Sequence, residues 1–536
     1  MSVEIHHVPP AAPRDGIAGL RAHGLQDAAA GLTVVLLALP LSLGIAKASD
    51  FPPVMGLLTA ILGGLLAGAL SGARLTIKGP AAGLIVIVAG AVAEFGGGEA
   101  GWRLSLAAVA AAGIVQILFG AFRLGKWVDF FPLSAIHGML AAIGLTIIAK
   151  QIPVLLDIDP ALTKGKPVFE LIASTPAYLA HLDPRATLIG VISLAVMAGW
   201  PLIRMPLLRS VPAPVVVLLI AVPAELLMDF QHTEPPYALV HIGPLADNLG
   251  LQADFSALAR TGLFVKYTVM FALVGSLESL LTVRAVDLLD PWRRRSDPNR
   301  DLIAVGTGNL AAGLLGGLPM ISEVARSSAN VSAGARTKWA NVFHGAMMLL
   351  FVGLGAPLIE LIPNTALAAM LITVGVRLAH PREFIQTFRI GWEQLAIFLT
   401  TIAVTLAEDL LVGILAGIAL KLIIHLFHGA PVAALFKSQA EVSFEGNAYL
   451  VRLSHAAVFS NFLGIKDKLE SIPPGFHITV DLQHTRLVDH SVMESLHRFA
   501  HAYEAQGGTV RITGLDRHRP VSRHQFATHR MVRRAR

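Results

Sequence analysis

Residues 319–330 read Pro319-Met320-Ile321-Ser322-Glu323-Val324-Ala325-Arg326-Ser327-Ser328-Ala329-Asn330 and lie inside a long apolar region. An Arg, a Glu, three Ser and an Asn are expensive in hydrocarbon. Within a span they face a cavity and mark a substrate path. Arg326 supplies a permanent cation whose planar fork suits an oxyanion, with Ser322, Ala325 and Ser327 around it. Glu323 stands three residues before Arg326, a helical spacing at which the two side chains can instead neutralise each other.

A second stretch, Thr76-Ile77-Lys78-Gly79-Pro80-Ala81-Ala82-Gly83, is punctuated in the same way. A helix beginning at Gly79-Pro80 aims unsatisfied backbone N–H groups, and a partial positive charge, at whatever precedes it. Pro suits a first helical turn, and Ala81 and Ala82 allow close approach. A broken helix starting in mid-membrane is an anion seat. A tight turn between two spans is the alternative.

Glu278 and Ser279 sit within another apolar run. A carboxylate there can carry a proton or, with Ser279, Glu323 and nearby carbonyls, a sodium ion. Otherwise it bonds to a neighbouring helix. Pro40, flanked by Leu41 and Ser42, breaks the first apolar run, and its freed backbone groups either line the same cavity or mark a kink. His497 and His501, with His490 nearby, read as a solvated helix face, since three-ligand metal geometry is not evident. No metal and no cofactor is expected beyond a coupling H+ or Na+.

These residues need a membrane to position them. The chain has 536 residues, 54% of them hydrophobic and 15% charged, with a mean hydropathy of +0.64. Soluble domains carry roughly 25% charge, so lipid is the better solvent for this surface. There is no cysteine, which excludes disulfides, thiolate metal sites and cysteine nucleophiles. The net charge of +6 lies mostly between apolar runs, the pattern of cytosolic loops rather than of a nucleic-acid surface. The first run ends in Ala46-Lys47-Ala48, like a signal-peptide cleavage site, but a long polar stretch precedes it and many runs follow.

About fourteen spans are expected, near 26–47, 53–71, 76–94, 104–122, 132–152, 186–204, 212–229, 262–285, 301–317, 319–333, 340–359, 364–380, 390–407 and 409–427. With the N-terminus in the cytosol, basic residues fall on one side: Arg74, Arg123, Lys126, Arg204, Arg209, Arg293 to Arg295, Arg336, Lys338, Arg377, Arg382 and Arg389. The other side takes acidic loops with Asp157, Asp159, Glu170, Asp183, Glu234, Asp247 and Asp254. The expectation is a bacterial inner-membrane protein with both termini cytoplasmic. Each punctuated stretch is the third member of a set of seven. Seven plus seven with an odd third span is what an inverted repeat predicts.

After about residue 430 the composition changes. Residues 442–454 and 478–482 pattern as strands, 491–505 as a helix and 510–513 as a strand. The chain thus divides into a cytosolic segment 1–24, a transporter domain 25–430, a small cytosolic α/β domain 438–516 and a basic tail 517–536.

The chain resembles the SulP family of anion transporters. The resemblance rests on Ala30 to Val34 with Ala38-Leu39-Pro40, Gly79 to Ala82, and Glu278-Ser279. It continues through Gly308-Asn309-Leu310, Gly316 to Pro319, Arg326-Ser327 and Gly334 to Thr337. The soluble end resembles that family's STAS domain at Ile478 to Leu482 and Leu487 to Ser491. The resemblance implies a core domain moving against a gate domain, an elevator-like alternating access, a site between the third and tenth spans, and a homodimer. Three positions depart from the family's common pattern: Leu41 in place of Gln, Ala325 in place of Ser, and Asp489-His490-Ser491 in the STAS loop. The first two argue against sulfate selectivity, and the third against a regulatory switch at Ser491. The Asp-His-Ser variant is similar to a bacterial subgroup linked to carbonic anhydrases, which tilts the expectation toward bicarbonate.

The expected function is therefore secondary active transport of a small inorganic anion, of the bicarbonate or sulfate class, coupled to H+ or Na+. A proton-coupled nucleobase or organic anion carrier of the same fold, and a passive anion channel, stay open as alternatives. No nucleophile with a base stands at usable spacing for a membrane enzyme.

Overall fold

The computed structural model describes residues 12–126, 132–163, 166–203, 205, 211–228, 230, 239, 242, 245, 250–408, 410–446, 448–504 and 506–532. Arg204, Arg209, Glu234 and Asp247 of the loop-charge pattern lie outside them, as do the first eleven residues and the last four. The chain forms two compact units. One holds residues 1–125 and 143–377, the other residues 126–142 and 378–536.

Each expected span coincides with a helix or, in two places, with a short strand that runs into a helix. Among the described residues, eight helices are long and apolar enough to cross a membrane. Their ends follow local chemistry. Pro53 opens helix Pro53–Leu62 at the first helical position, where its missing N–H costs nothing. Asp297 accepts the N–H groups of Asn299 and Arg300 and so caps helix Pro298–Leu315. That helix stops at Gly316 with φ 99°, a left-handed conformation that favours glycine. In the first unit, Gly113, Gly306 and Gly313 bring helices Gly98–Ala121 and Pro298–Leu315 together until their backbones touch. Small residues are the usual means of tight packing between helices in lipid.

Two expectations are corrected here. Pro40 does not break the first span, because helix Gly16–Ala48 runs straight through it. The Ser42 hydroxyl donates back to the Ala38 carbonyl at 2.7 Å within the continuous helix. Nor does a helix begin at Gly79-Pro80. Ile77–Pro80 is a strand, β1, and Met320–Glu323 is a second strand, β2. They pair antiparallel with Lys78 opposite Ser322 and Gly79 opposite Ile321. The fixed φ of Pro80 suits an extended strand end as well as a helix start, and β2 supplies the backbone partners that a mid-membrane strand needs. The helices follow, Ala82–Glu94 after β1 and Val324–Ser332 after β2.

The second unit contains helices Trp392–Ala407 and Leu410–Phe427 and then a six-stranded sheet. The expected strand over 442–454 is a hairpin of β3 (Ala440–Glu445) and β4 (Ala448–Ala457), turning at Gly446 with φ 64°. Strand β5 (His477–Val488) runs parallel to β4 and to β6 (Thr509–Thr513). Helix His490–Glu504 packs Val492, Met493, Leu496 and Tyr503 into the domain core. The stretch read as a basic tail adds β7 (His518–Pro520) and β8 (His529–Met531), with β8 on β5. These strands have three residues each, too short to show a period of two.

Candidate anion seat at the crossing of two broken spans

The crossing is held by side chains on surrounding helices. Asn309 donates to the Met320 carbonyl at 3.1 Å and accepts the Met320 N–H at 2.6 Å, while its amide also reaches Gln116 at 2.7 Å. The Thr59 hydroxyl accepts the Leu318 N–H at 2.8 Å. Asn341 accepts the Lys78 N–H at 3.4 Å and donates to the Gly63 carbonyl at 3.2 Å. Backbone groups in mid-membrane must be satisfied by protein, and these amides and hydroxyls do it.

On this frame the expected site residues separate into those that hold the crossing and those left free. The Ser322 N–H donates to the Ser279 hydroxyl at 3.1 Å, and the Ser322 hydroxyl donates to Asp301 at 3.2 Å. Ser327 donates to the Glu323 carbonyl at 2.6 Å and accepts the Ile77 N–H at 2.9 Å, tying the second helix to β1. Glu323 caps its own helix, taking the Arg326 backbone N–H on Oε2 at 2.8 Å. Ala81 is extended and buried, Ala82 opens the first helix, and Ala325 is half-buried. Helix Gly16–Ala48 packs on both broken spans. Among the described residues, no side-chain bond from Pro40, Leu41 or Ser42 reaches the crossing.

Arg326 is different. It is fully buried, yet Nε, Nη1 and Nη2 have no hydrogen-bond partner among the described residues. Its guanidinium lies on Gly79, so close that a Cβ there would collide with Nη1. The sequence left open a neutralising pair with Glu323. In the structure Glu323 takes the Arg326 backbone N–H, while the guanidinium nitrogens have no hydrogen-bond partner. A buried charged donor without a hydrogen-bond partner is costly, although the Glu323 carboxylate acts on it electrostatically. Across the same element, the Glu278 carboxylate packs on Gly83 in the first turn of helix Ala82–Glu94, and its Oε1 has no hydrogen-bond partner among the described residues. A carboxylate is favoured at a helix N-terminus. The Ser276 hydroxyl, two residues earlier, is likewise buried and unpaired.

Sequence reasoning missed several residues of this assembly. Asn309 and Gln116 carry no positional signal, since an amide in an apolar run does not announce a strand as its partner. His344 is fully buried with both ring nitrogens unpaired, on the same helix face as Asn341 one turn before. Lys78 and Asp301 form a buried ion pair behind β1 at 2.9 Å. Of the histidines set aside as a solvated face, His490 faces the Phe526 carbonyl and His497 the Met493 carbonyl.

A sequence profile of the sulfate permease family matches residues 25–401. A putative sulfate transporter, YvdB, of Bacillus subtilis (strain 168) is 27% identical over 406 residues, covering 74% of this chain and 73% of its own length. The bicarbonate transporter BicA of Picosynechococcus is 25% identical over 401 residues, covering 73% of this chain and 68% of its own. Among solved structures, the transmembrane domain of a cyanobacterial BicA matches with a TM-score of 0.62 at 21% identity, covering 73% of this chain and 97% of that one. The structure of SLC26A9 matches with a TM-score of 0.67 at 14% identity, covering 92% of this chain and 85% of that one. The last match spans the soluble end as well as the membrane part and shows a shared fold. By profile, relatives and fold, the chain belongs to the sulfate permease family, whose members are membrane transporters and not enzymes.

Proposed function

We propose that the chain is a secondary active transporter of a small inorganic oxyanion, bicarbonate before sulfate, with its seat between the third and tenth spans, at the free donors of Arg326. The observation that carries this reading is the Arg326 guanidinium, buried, unpaired and laid against a glycine at the crossing of two broken spans. A planar cation with free donors suits an oxyanion. Glu278, with Ser276 and Ser279 near it, handles the coupling ion, H+ or Na+. The carrier works in a bacterial inner membrane with both termini cytoplasmic, as a homodimer, by elevator-like movement of the seat. Its soluble end is a STAS domain that regulates or assembles the protein and does not bind the transported ion. A bicarbonate carrier also has a natural partner in carbonic anhydrase, which interconverts its cargo with CO2.

The test is a proteoliposome uptake panel of bicarbonate, sulfate, chloride, a dicarboxylate and uracil, each with a pH or sodium gradient. Gradient-driven bicarbonate accumulation is expected. Uracil accumulation in its place returns the nucleobase reading. Flux that follows voltage and concentration alone, with no coupling ion, returns the channel.

A further inference from the structure

Two basic side chains meet at the crossing, and their surroundings are opposite. The Arg326 guanidinium has no hydrogen-bond partner among the described residues. Lys78, the residue before Gly79, has every donor filled: its ammonium lies 2.9 Å from Asp301 Oδ1, 2.8 Å from the Ser71 hydroxyl and 2.9 Å from the Thr76 hydroxyl. An ammonium has three donors, so it has none left for a ligand. Asp301 is equally engaged, by Lys78 and Ser71 on Oδ1 and by Ser322 on Oδ2. Lys78 and Asp301 are 0% and 1% exposed. Lys78 belongs to β1, Ser322 to β2 and Asp301 to helix Pro298–Leu315, so the network spans both broken spans and the helix behind them.

We propose that Asp301 is a specificity-determining residue for the anion seat, because it cancels the Lys78 charge and leaves Arg326 as the basic side chain there whose donors have no hydrogen-bond partner among the described residues. The role is electrostatic and does not require either residue to touch the anion. Charge buried beside a seat acts through a low dielectric and is little screened by salt. With the Lys78 charge cancelled the seat is less positive, which suits a monovalent anion such as bicarbonate; with it uncancelled the seat gains one positive charge, which favours a divalent anion such as sulfate. The inference rests on the proposed seat and adds to it which anion valence the seat selects.

The signature is a pair of opposite shifts. Asp301→Asn keeps the shape and unmasks Lys78, so bicarbonate should bind tighter and sulfate should gain most, by about tenfold for a unit charge at this range. Lys78→Met unmasks Asp301, so both anions should bind more weakly, sulfate most. A merely structural clamp predicts that both variants weaken binding. The measurement is competition of sodium bicarbonate and sodium sulfate against labelled bicarbonate, on the purified full chain in proteoliposomes, reading KM and kcat separately. Opposite shifts in KM support the proposal, whereas shifts in the same direction, or none, overturn it. If a single variant fails to fold, the neutral double variant Lys78→Met/Asp301→Asn decides. Bicarbonate KM within about twofold of the parent, since no net charge is added or removed, supports the proposal, and a large loss overturns it. Arg326→Gln separates the two layers. If it binds anions as the parent does, the seat itself is wrong. If it loses binding while the Lys78 and Asp301 variants shift together, only this inference fails.

Discussion

The first broken span brings backbone to the crossing: Gly79 and Pro80 in the strand, then Ala81 and Ala82 leading into a helix with no side-chain cap. The second brings side chains: Glu323 capping its helix, Arg326 reaching back over Gly79, and Ser327 bonded to Ile77. The halves of the repeat have therefore specialised. One keeps its surface small so that the other's charge can lie against it. The free helix start on the first span is met by Glu278 from a different helix, packed on Gly83, whereas the second helix start is met by its own Glu323. A carboxylate that caps its own helix is committed to structure. One brought from outside is free to gain or lose a partner during a transport cycle.

The largest expected effect breaks the complementarity itself. Gly79→Val puts a branched side chain where the guanidinium lies, and transport should fall by more than about a hundredfold, a loss of roughly 3 kcal/mol. Uptake by folded protein of normal elution profile checks this, and near-parent transport would mean that Arg326 does not need to lie there. Next comes the difference between the two carboxylates. Glu278→Gln should retain anion binding but lose gradient-driven accumulation. Glu323→Gln keeps an acceptor for the Arg326 N–H and should accumulate nearly as the parent does. Equal loss of coupling in both would erase the distinction. A smaller effect is expected for Asn309→Ala, which leaves the Met320 backbone groups unpaired at a cost of about 1–3 kcal/mol. A lower melting temperature, with KM changed less than stability, is the expected reading.

The soluble end supplies two further contrasts. Lys421, buried in helix Leu410–Phe427, lies 3.2 Å from Asp489 and 2.8 Å from the Ser491 hydroxyl. Burial alone would raise the Asp489 carboxyl. Lys421 and His425, with the N–H groups of Val492 and Phe459, outweigh it and hold the group below the usual carboxylate range. Truncation near residue 437 removes Asp489, Ser491 and Phe459 together and strips Lys421 of these contacts. The yield of truncated protein should fall while the KM of the surviving protein stays close to the parent's. A truncated protein that folds but binds no anion would place part of the seat in the soluble end. The smallest effect is a pH dependence of that domain. Burial pushes the imidazoles of His490 and His529 below their ordinary value. The unfolded chain then takes up protons that the folded domain refuses, so this stability is present above about pH 6.5 and is lost as pH falls below it. Melting scans at pH 7.5 and 5.5 should show the domain weaker at the lower pH. A higher melting temperature at pH 5.5 contradicts the burial argument.

The spans were legible because a membrane imposes twenty-residue apolar runs, and the two punctuated stretches stood out against them. Arg326, Glu278 and Gly79 could be chosen from residue type and place alone. The strand pairing of β1 with β2 could not, since four-residue strands so far apart in the chain leave no periodic trace. The partners of Lys78 were hidden for a related reason. A lysine in a polar stretch looks like a loop charge until Asp301, on a distant helix, is seen beside it. Pro40 misled in the opposite sense. Proline usually interrupts a helix, but here helix Gly16–Ala48 continues through it.

The most direct test of the account is anion affinity in Arg326→Ala, measured by titrating bicarbonate into purified, folded protein beside the parent chain. Removing a charge-assisted contact at a buried site should cost roughly 1.5–3 kcal/mol, which is a loss of about ten- to a hundredfold in affinity. Unchanged affinity in the folded variant would contradict the claim that the crossing of the two broken spans is the anion seat.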